Sequence, residues 1–314
     1  MLEEPRVVAS TPTAAKPSEP SISTFSLPPR HVPLGLRLHV LFGGPMQQFG
    51  WLFFGFGLIF VWLFALNADV GALVRFLIPY ATAEGRVLEV AETGASEGGS
   101  DDEPGNPIFA VTYRFVAPNA STYTGISFTT GHRFQPGARV LVEFPLERPQ
   151  ESRLQGARRA LFGPAALISL IFPAIGLVFV SLGLWDGVKA NQLLQGGRLA
   201  RAQLRSKEGT GAMVNNRPVV KLGFEFVAHD GTPHAVEIRT SLPESLEDES
   251  EETVLYDPSD ADFAILLDGL PGPPRMTSAG ELEGVPILRV AWVSLLPFLT
   301  IVGHGLYVFT RFLR

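Results

Sequence analysis

The sequence predicts an integral membrane protein of mixed α and β class, with three transmembrane helices and two small antiparallel β-barrel or β-sandwich domains related as an internal repeat. Three observations carry that reading. Residues 38–68, 160–185 and 290–310 hold no charged side chain when His39 and His304 are neutral. The regions between them alternate apolar and polar side chains, the period-two pattern of a half-buried strand. One such run, "NPIFAVTYRFVAPN" at 106–119, is echoed by "RPVVKLGFEFVAHD" at 217–230.

The first 33 residues are rich in Pro, Ser and Thr and poor in large apolar side chains, which predicts a disordered tail. The start, Met1-Leu2-Glu3-Glu4, lacks the basic n-region of a cleaved signal, so none is expected. The first span is predicted over 49–66, with Trp51 and Trp62 towards its ends as interfacial anchors. Asp69 breaks the run, and 67–80 reads as a juxtamembrane segment with Leu73, Val74, Leu77 and Ile78 at helical spacing.

The first β-domain is placed at 81–157. In it Phe109, Val111, Tyr113 and Phe115 form one apolar strand face. The second span is placed at 161–184, with Pro173 near its middle predicting a kink. A short juxtamembrane segment, 186–197, leads to the second β-domain at 198–275, where Val220, Leu222, Phe224 and Phe226 repeat the apolar face. Matching Pro107 to Pro218 sets an offset of 111 that preserves strand phase. Upstream, "GRVLEVAETG" (85–94) is echoed by "AQLRSKEGTG" (202–211), and downstream Val142 and Phe144 correspond to Val254 and Tyr256. The register of the intervening hairpins is not legible. The third span is placed at 286–310, with Pro297 inside it. A single crossing between the two β-domains predicts that they face opposite sides of the membrane.

The chain has no cysteine, which removes disulfides, thiolate nucleophiles and thiolate metal sites from consideration. Its net charge is −6 with no large basic patch, which argues against nucleic acid. No HExxH, P-loop or dinucleotide fingerprint occurs in it.

The quoted strand motifs "GRVLEVAETG", "AVTYRF" with "STYTGISFTTG", and "PGARVLVEF", together with "SRLQG" before a span, resemble an uncharacterised bacterial membrane-protein family, the domain-of-unknown-function family numbered three-five-nine-two, here in two tandem copies covering about residues 50–310. The second copy departs from the pattern: it lacks the glycine after the Thr pair and carries "ESLEDESEE" instead, although "VLYDP" still fits. The resemblance implies membrane-anchored β-domains in a bacterial cytoplasmic (inner) membrane, as a multi-pass protein. It supplies no reaction, so no catalytic residue is carried over.

Interaction candidates are few. His304 lies inside the third span, where an ionisable group is costly. Gly303 and Gly305 beside it favour helix packing, with a proton or ligand role as the alternative. The run 244–252 holds six acids, among them Glu247, Asp248 and Glu249, whereas the equivalent part of the first β-domain carries Arg133 and Arg139. Opposite charge on sister domains suggests different partners, and a solvated edge is the plainer alternative. The loop 96–106, with Asp101, Asp102 and Glu103, reads as a solvated hairpin insertion rather than a calcium loop.

The functional expectation is a membrane-anchored scaffold or interaction protein that presents two β-domains next to the bilayer without catalysis. Its expected partners are the lipid bilayer and either an unidentified protein or further copies of the chain, with nucleic acid excluded. No cofactor and no metal are expected. The alternatives are a component of an oligomeric transporter or channel, and an enzyme whose site forms where a domain meets the membrane.

Overall fold

A computed structural model describes residues 26–74, 79–100, 103–275, 277 and 280–313. The disordered tail expected over 1–33 lies outside the described residues up to position 25, as do Leu77, Ile78, Asp101 and Asp102. The protein is of mixed α and β class, with two five-stranded antiparallel sheets and three helices long and apolar enough to cross a membrane. The chain divides into two compact units, Pro45–Gly183 with Leu295–Arg314, and Met1–Gly44 with Leu184–Ser294.

The short helix α1 (Leu34–Phe42) belongs to the second unit; the first opens with helix α2 (Pro45–Leu63), and a four-residue helix α3 (Gly71–Val74) precedes its sheet. The strands are β1 (Tyr80–Glu97), β2 (Asn106–Val116), β3 (Thr122–Thr130), β4 (Arg139–Pro145) and β5 (Arg153–Leu154), in the order β3-β2-β1-β4-β5. β1 is long enough to pair with β2 through its second half and with β4 through its first. The sheet curls until its edges meet, where Phe128 and Arg158 exchange backbone bonds of 2.8 and 3.0 Å. Period-two alternation turns Val111, Tyr113 and Phe115 inward with Val87, Val142, Phe144 and Leu154, and together they make one core.

Helix α4 (Ile171–Gly196) is preceded by a 3-10 helix, Pro164–Leu170, and helix α5 spans Ile287–Val308. The kink expected at Pro173 assumed a mid-helix position, and the start of α4 at Ile171 removes that premise. Pro173 falls in the first turn of α4, where its missing N–H has no helical acceptor to lose. Pro297 does lie inside α5.

The second sheet contains β6 (Arg198–Val214), β7 (Arg217–Val227), β8 (Pro233–Thr240), β9 (Glu252–Asp257) and β10 (Asp260–Leu266), in the order β10-β9-β6-β7-β8. Read from the other edge, this is the strand order of the first sheet. The registers also agree. Phe109 opposes Thr129 and Phe115 opposes Tyr123; Val220 opposes Thr240 and Phe226 opposes His234, each 111 positions further on. The long strands carry register shifts at equivalent places, Val87/Glu89 and Glu92/Ser96 in β1, Leu204/Ser206 and Gly209/Met213 in β6. The hairpin after β6 is a two-residue turn at Asn215 and Asn216, both with positive φ, as a right-twisted hairpin requires.

The second sheet is buried on both faces along β9. Val254 and Tyr256 join Leu222, Phe224 and Phe226 on one face. Leu255 turns to the other face, against Leu36 and Val40 of α1, Leu193 and Leu194 of α4, and Leu267 and Leu270 after β10. The chain from Ser26 to α1 thus packs with the second sheet. Arg30, 5% exposed, donates through Nη1 to the Gly197 carbonyl at 2.7 Å and stands over the last turn of α4, the negative end of the helix dipole.

Candidate functional site

The acidic run of the second unit leads directly into β9, and the first residue of that strand decides its chemistry. Glu252 shares strand phase with Val254 and Tyr256, so it points inward; it is 2% exposed. Its carboxyl hydrogen-bonds to Asp268, which follows β10. Its Oε1 has no hydrogen-bond partner among the described residues. Burial, and then the charges of Asp268, Glu249 and Asp248, push the Glu252 carboxyl up to about 7. The Asp268 carboxyl is raised as well, by burial and by Asp248, while the bond from Glu252 pulls it back. One proton shared across this pair removes a like-charge repulsion that the interior would not screen.

The three acidic candidates therefore separate. Glu247 pairs with Lys207 at 2.7 Å and Glu249 pairs with Arg201 at 3.6 Å, both as surface ion pairs. Asp248 acts through its charge on Glu252 and Asp268. Arg133 and Arg139 belong to the other unit. The Arg133 guanidinium lies over the Phe109 ring at 5.8 Å, and Arg139 opposes Arg86 across the sheet.

Asp268 also lines a cavity of about 490 Å³, together with His39 of α1, Arg275, Glu283 and Arg289, the third residue of α5. Gly272 closes one side: its φ is +62°, and a Cβ there would stand 2.6 Å from His39 Nε2. Burial, and the nearby charge of Arg289, lower the basicity of His39, whose Nδ1 is buried without a partner among the described residues. Sequence reading missed Glu252, Asp268, His39 and Arg289 as a set. Only Glu252 left a local signal, its period-two phase with Val254 and Tyr256.

His304 has both ring nitrogens occupied. Trp62 Nε1 donates to His304 Nδ1 at 2.8 Å, and His304 Nε2 lies 2.9 Å from the Gly55 carbonyl. Indole N–H can only donate and a carbonyl can only accept, so the ring is the neutral Nε2–H form, tying α5 to α2. Gly303 and Gly305 do not provide the close approach expected of them, since a Cβ on either would meet nothing within 4 Å. The close approaches lie elsewhere. A Cβ at Gly55 would meet Thr300 Oγ1 at 2.5 Å, and one at Gly57 would meet Pro173 N at 2.6 Å. Gly176 packs against the backbone of Phe54. Glycine on both α2 and α4 brings those two backbones together.

A second polar line runs along the turn from β7 to β8. Thr232 Oγ1 is 2.9 Å from His234 Nε2, and His234 Nδ1 is 2.8 Å from Asp262. It has the residue types of a hydroxyl–imidazole–carboxylate relay. However, the Thr232 hydroxyl donates to Asp230 at 2.6 Å, so its proton is committed there and His234 is not placed to take it.

Comparison with protein-family models finds no match, and comparison with curated proteins finds none. Among solved structures, a replication protein A heterotrimer bound to ssDNA is similar over 57% of this chain, at 12% identity and a TM-score of 0.16; the chain spans 43% of that chain. A TM-score of 0.16 carries no argument about fold or function. The finding does correct the partner expectation: beside a likeness to a ssDNA complex, the exclusion of nucleic acid is withdrawn. Its basis was a net charge of −6, a sum over 314 residues that does not describe the field of any single face.

Proposed function

We propose that the protein is a multi-pass protein of a bacterial cytoplasmic membrane that presents two β-domains, related as an internal repeat, next to the bilayer as a scaffold or interaction module. The observation that carries this reading is the surface of the three long helices. Of their most apolar stretches only 33%, 22% and 17% is buried within the protein. Leu52, Phe56, Ile59 and Leu63 on α2, Leu177, Val178 and Leu182 on α4, and Trp292, Phe298, Ile301 and Leu306 on α5 are all exposed. Apolar area on this scale costs about 25 cal/mol per Å² in water and nothing comparable in hydrocarbon.

The repeat is supported by the common strand order, the constant pairing offset and the equivalent register shifts of the two sheets. The family-like motifs fall on successive strands, "GRVLEVAETG" in β1, "AVTYRF" in β2 and "STYTGISFTTG" mostly in β3, which is consistent with the resemblance. A transport role draws less support, because His304, the ionisable group deep in the third long helix, is already occupied on both nitrogens.

Alkaline carbonate extraction tests the reading. The protein stays with the membrane pellet if the three helices span; release into the supernatant overturns it. Affinity purification from native membranes then identifies what the β-domains hold.

A further inference from the structure

The cavity bounded by His39, Asp268, Arg275, Glu283 and Arg289 contains two guanidinium groups and two carboxyl groups. None of the four forms an ion pair with another, and neither arginine has an ion-pair partner among the described residues. Opposite charges that line one cavity and stay apart leave both signs available to a ligand. Two backbone features shape the walls. Glu283 N donates to the Arg275 carbonyl at 2.8 Å, which clamps the two ends of that loop, and Gly272 abuts His39. Asp268 also bonds with Glu252, which is 2% exposed.

The cavity also has a defined place along the chain. Arg289 is the third residue of α5, the last of the three membrane-length helices, and His39 lies shortly before Pro45, where the first begins. On the membrane reading above, on which this inference rests, residues at those positions stand at the level of lipid headgroups. Leu288 and Trp292 of α5 are 81% and 76% exposed and offer an apolar track for acyl chains beside the cavity.

We propose that this cavity binds the headgroup of a zwitterionic phospholipid carrying a primary amine, the phosphoethanolamine type. Arg275 and Arg289 hold the phosphate through charge-assisted hydrogen bonds, and Glu283 and Asp268 accept from the ammonium. The choice of ethanolamine over choline follows from the lining. A quaternary ammonium has no N–H to donate and is recognised by aromatic cages, and among the described residues no Phe, Tyr or Trp lines this cavity. The choice over the anionic glycerol headgroup follows from the two carboxyl groups, for which a neutral glycerol supplies no cation.

The test is lipid retention by the purified full-length protein, read by native mass spectrometry after equilibration in mixed micelles containing phosphatidylethanolamine, phosphatidylcholine or phosphatidylglycerol. Preferential retention of phosphatidylethanolamine is expected. Arg289→Gln and Glu283→Gln are each expected to reduce that retention by about tenfold, the loss of one charge-assisted hydrogen bond. An unchanged thermal melt of each variant separates this loss from misfolding, and Arg289→Lys is expected to recover part of the retention. Equal retention of the three lipids, or retention untouched by both Gln variants, overturns the proposal. So does full displacement of the lipid by millimolar free phosphoethanolamine, which would mark the ligand as soluble. Release of the protein by carbonate removes the membrane reading itself, whereas a carbonate-resistant protein without headgroup preference removes only this inference.

Discussion

Trp62 donates its indole N–H to Nδ1 of His304 at 2.8 Å, joining two residues separated by 242 positions. The imidazole completes the link at the Gly55 carbonyl, so a single ring fastens α5 to α2 twice. The Gly55 carbonyl lies inside α2 and accepts with its second lone pair, whereas on the membrane reading the indole and imidazole N–H groups have no water to turn to. His304→Ala is expected to lower stability in detergent by about 1–2 kcal/mol and Trp62→Phe by about 1 kcal/mol, on the scale of interhelical hydrogen bonds. The double variant should cost less than the sum of the two, because both remove the same bond. Thermal unfolding of the three variants measures this, and strict additivity would dissociate the pair.

The two sheets also differ at one informative turn. The hairpin from β2 to β3 closes at Ala120 with φ 59°, and the hairpin from β7 to β8 closes in the same bonding pattern at Gly231 with φ 85°. A side chain is strained in that region and glycine is not. Ala120→Gly is therefore expected to stabilise the first β-domain by about 0.5–1 kcal/mol, even though glycine enlarges the freedom of the unfolded chain. Chemical denaturation followed on the first unit checks the sign; destabilisation would mean that the strain is already relieved locally.

The Glu252 carboxyl gives the second unit a pH dependence. Its ordinary value of 4.5 is raised to about 7 in the folded state, so the fold holds the proton more tightly than the unfolded chain does. The associated stability is present in full below pH 4.5 and is lost as the pH rises through about 7. At 1.36 kcal/mol per pH unit the loss amounts to about 3 kcal/mol, shared with Asp268 as a coupled pair. Melting temperature should fall between pH 5.5 and pH 8.5, and Glu252→Gln, which keeps a donor for Asp268, should flatten that fall. An equal fall in the variant would assign the dependence to other groups.

How much of this was legible in the sequence depends on the range of the interaction. The three apolar stretches are a matter of composition over about 20 residues, and a charge is as absent from the sequence as from the helix. The inward faces of β2 and β7 follow from strand pleat alone, so Val111, Tyr113 and Phe115, with Leu222, Phe224 and Phe226, could be placed from their alternation. The hairpin registers could not. β3 and β8 carry little apolar contrast, and only pairing with their neighbours shows that the offset of 111 runs through them as well.

What the tertiary structure alone decided is every relationship between groups remote in the chain. Glu252 looked like the end of a solvated acidic run; the closing of β9 against β6 and the approach of Asp268 took it out of water and raised its proton affinity. Gly303 and Gly305 looked like the packing surface beside His304, but the helices meet at Gly55, Gly57 and Gly176 instead. Strand phase and hydropathy are properties of neighbouring residues and can be read along the chain. Burial, pairing and charge neutralisation depend on which distant residues fold together, and that is set only when the sheets and helices pack.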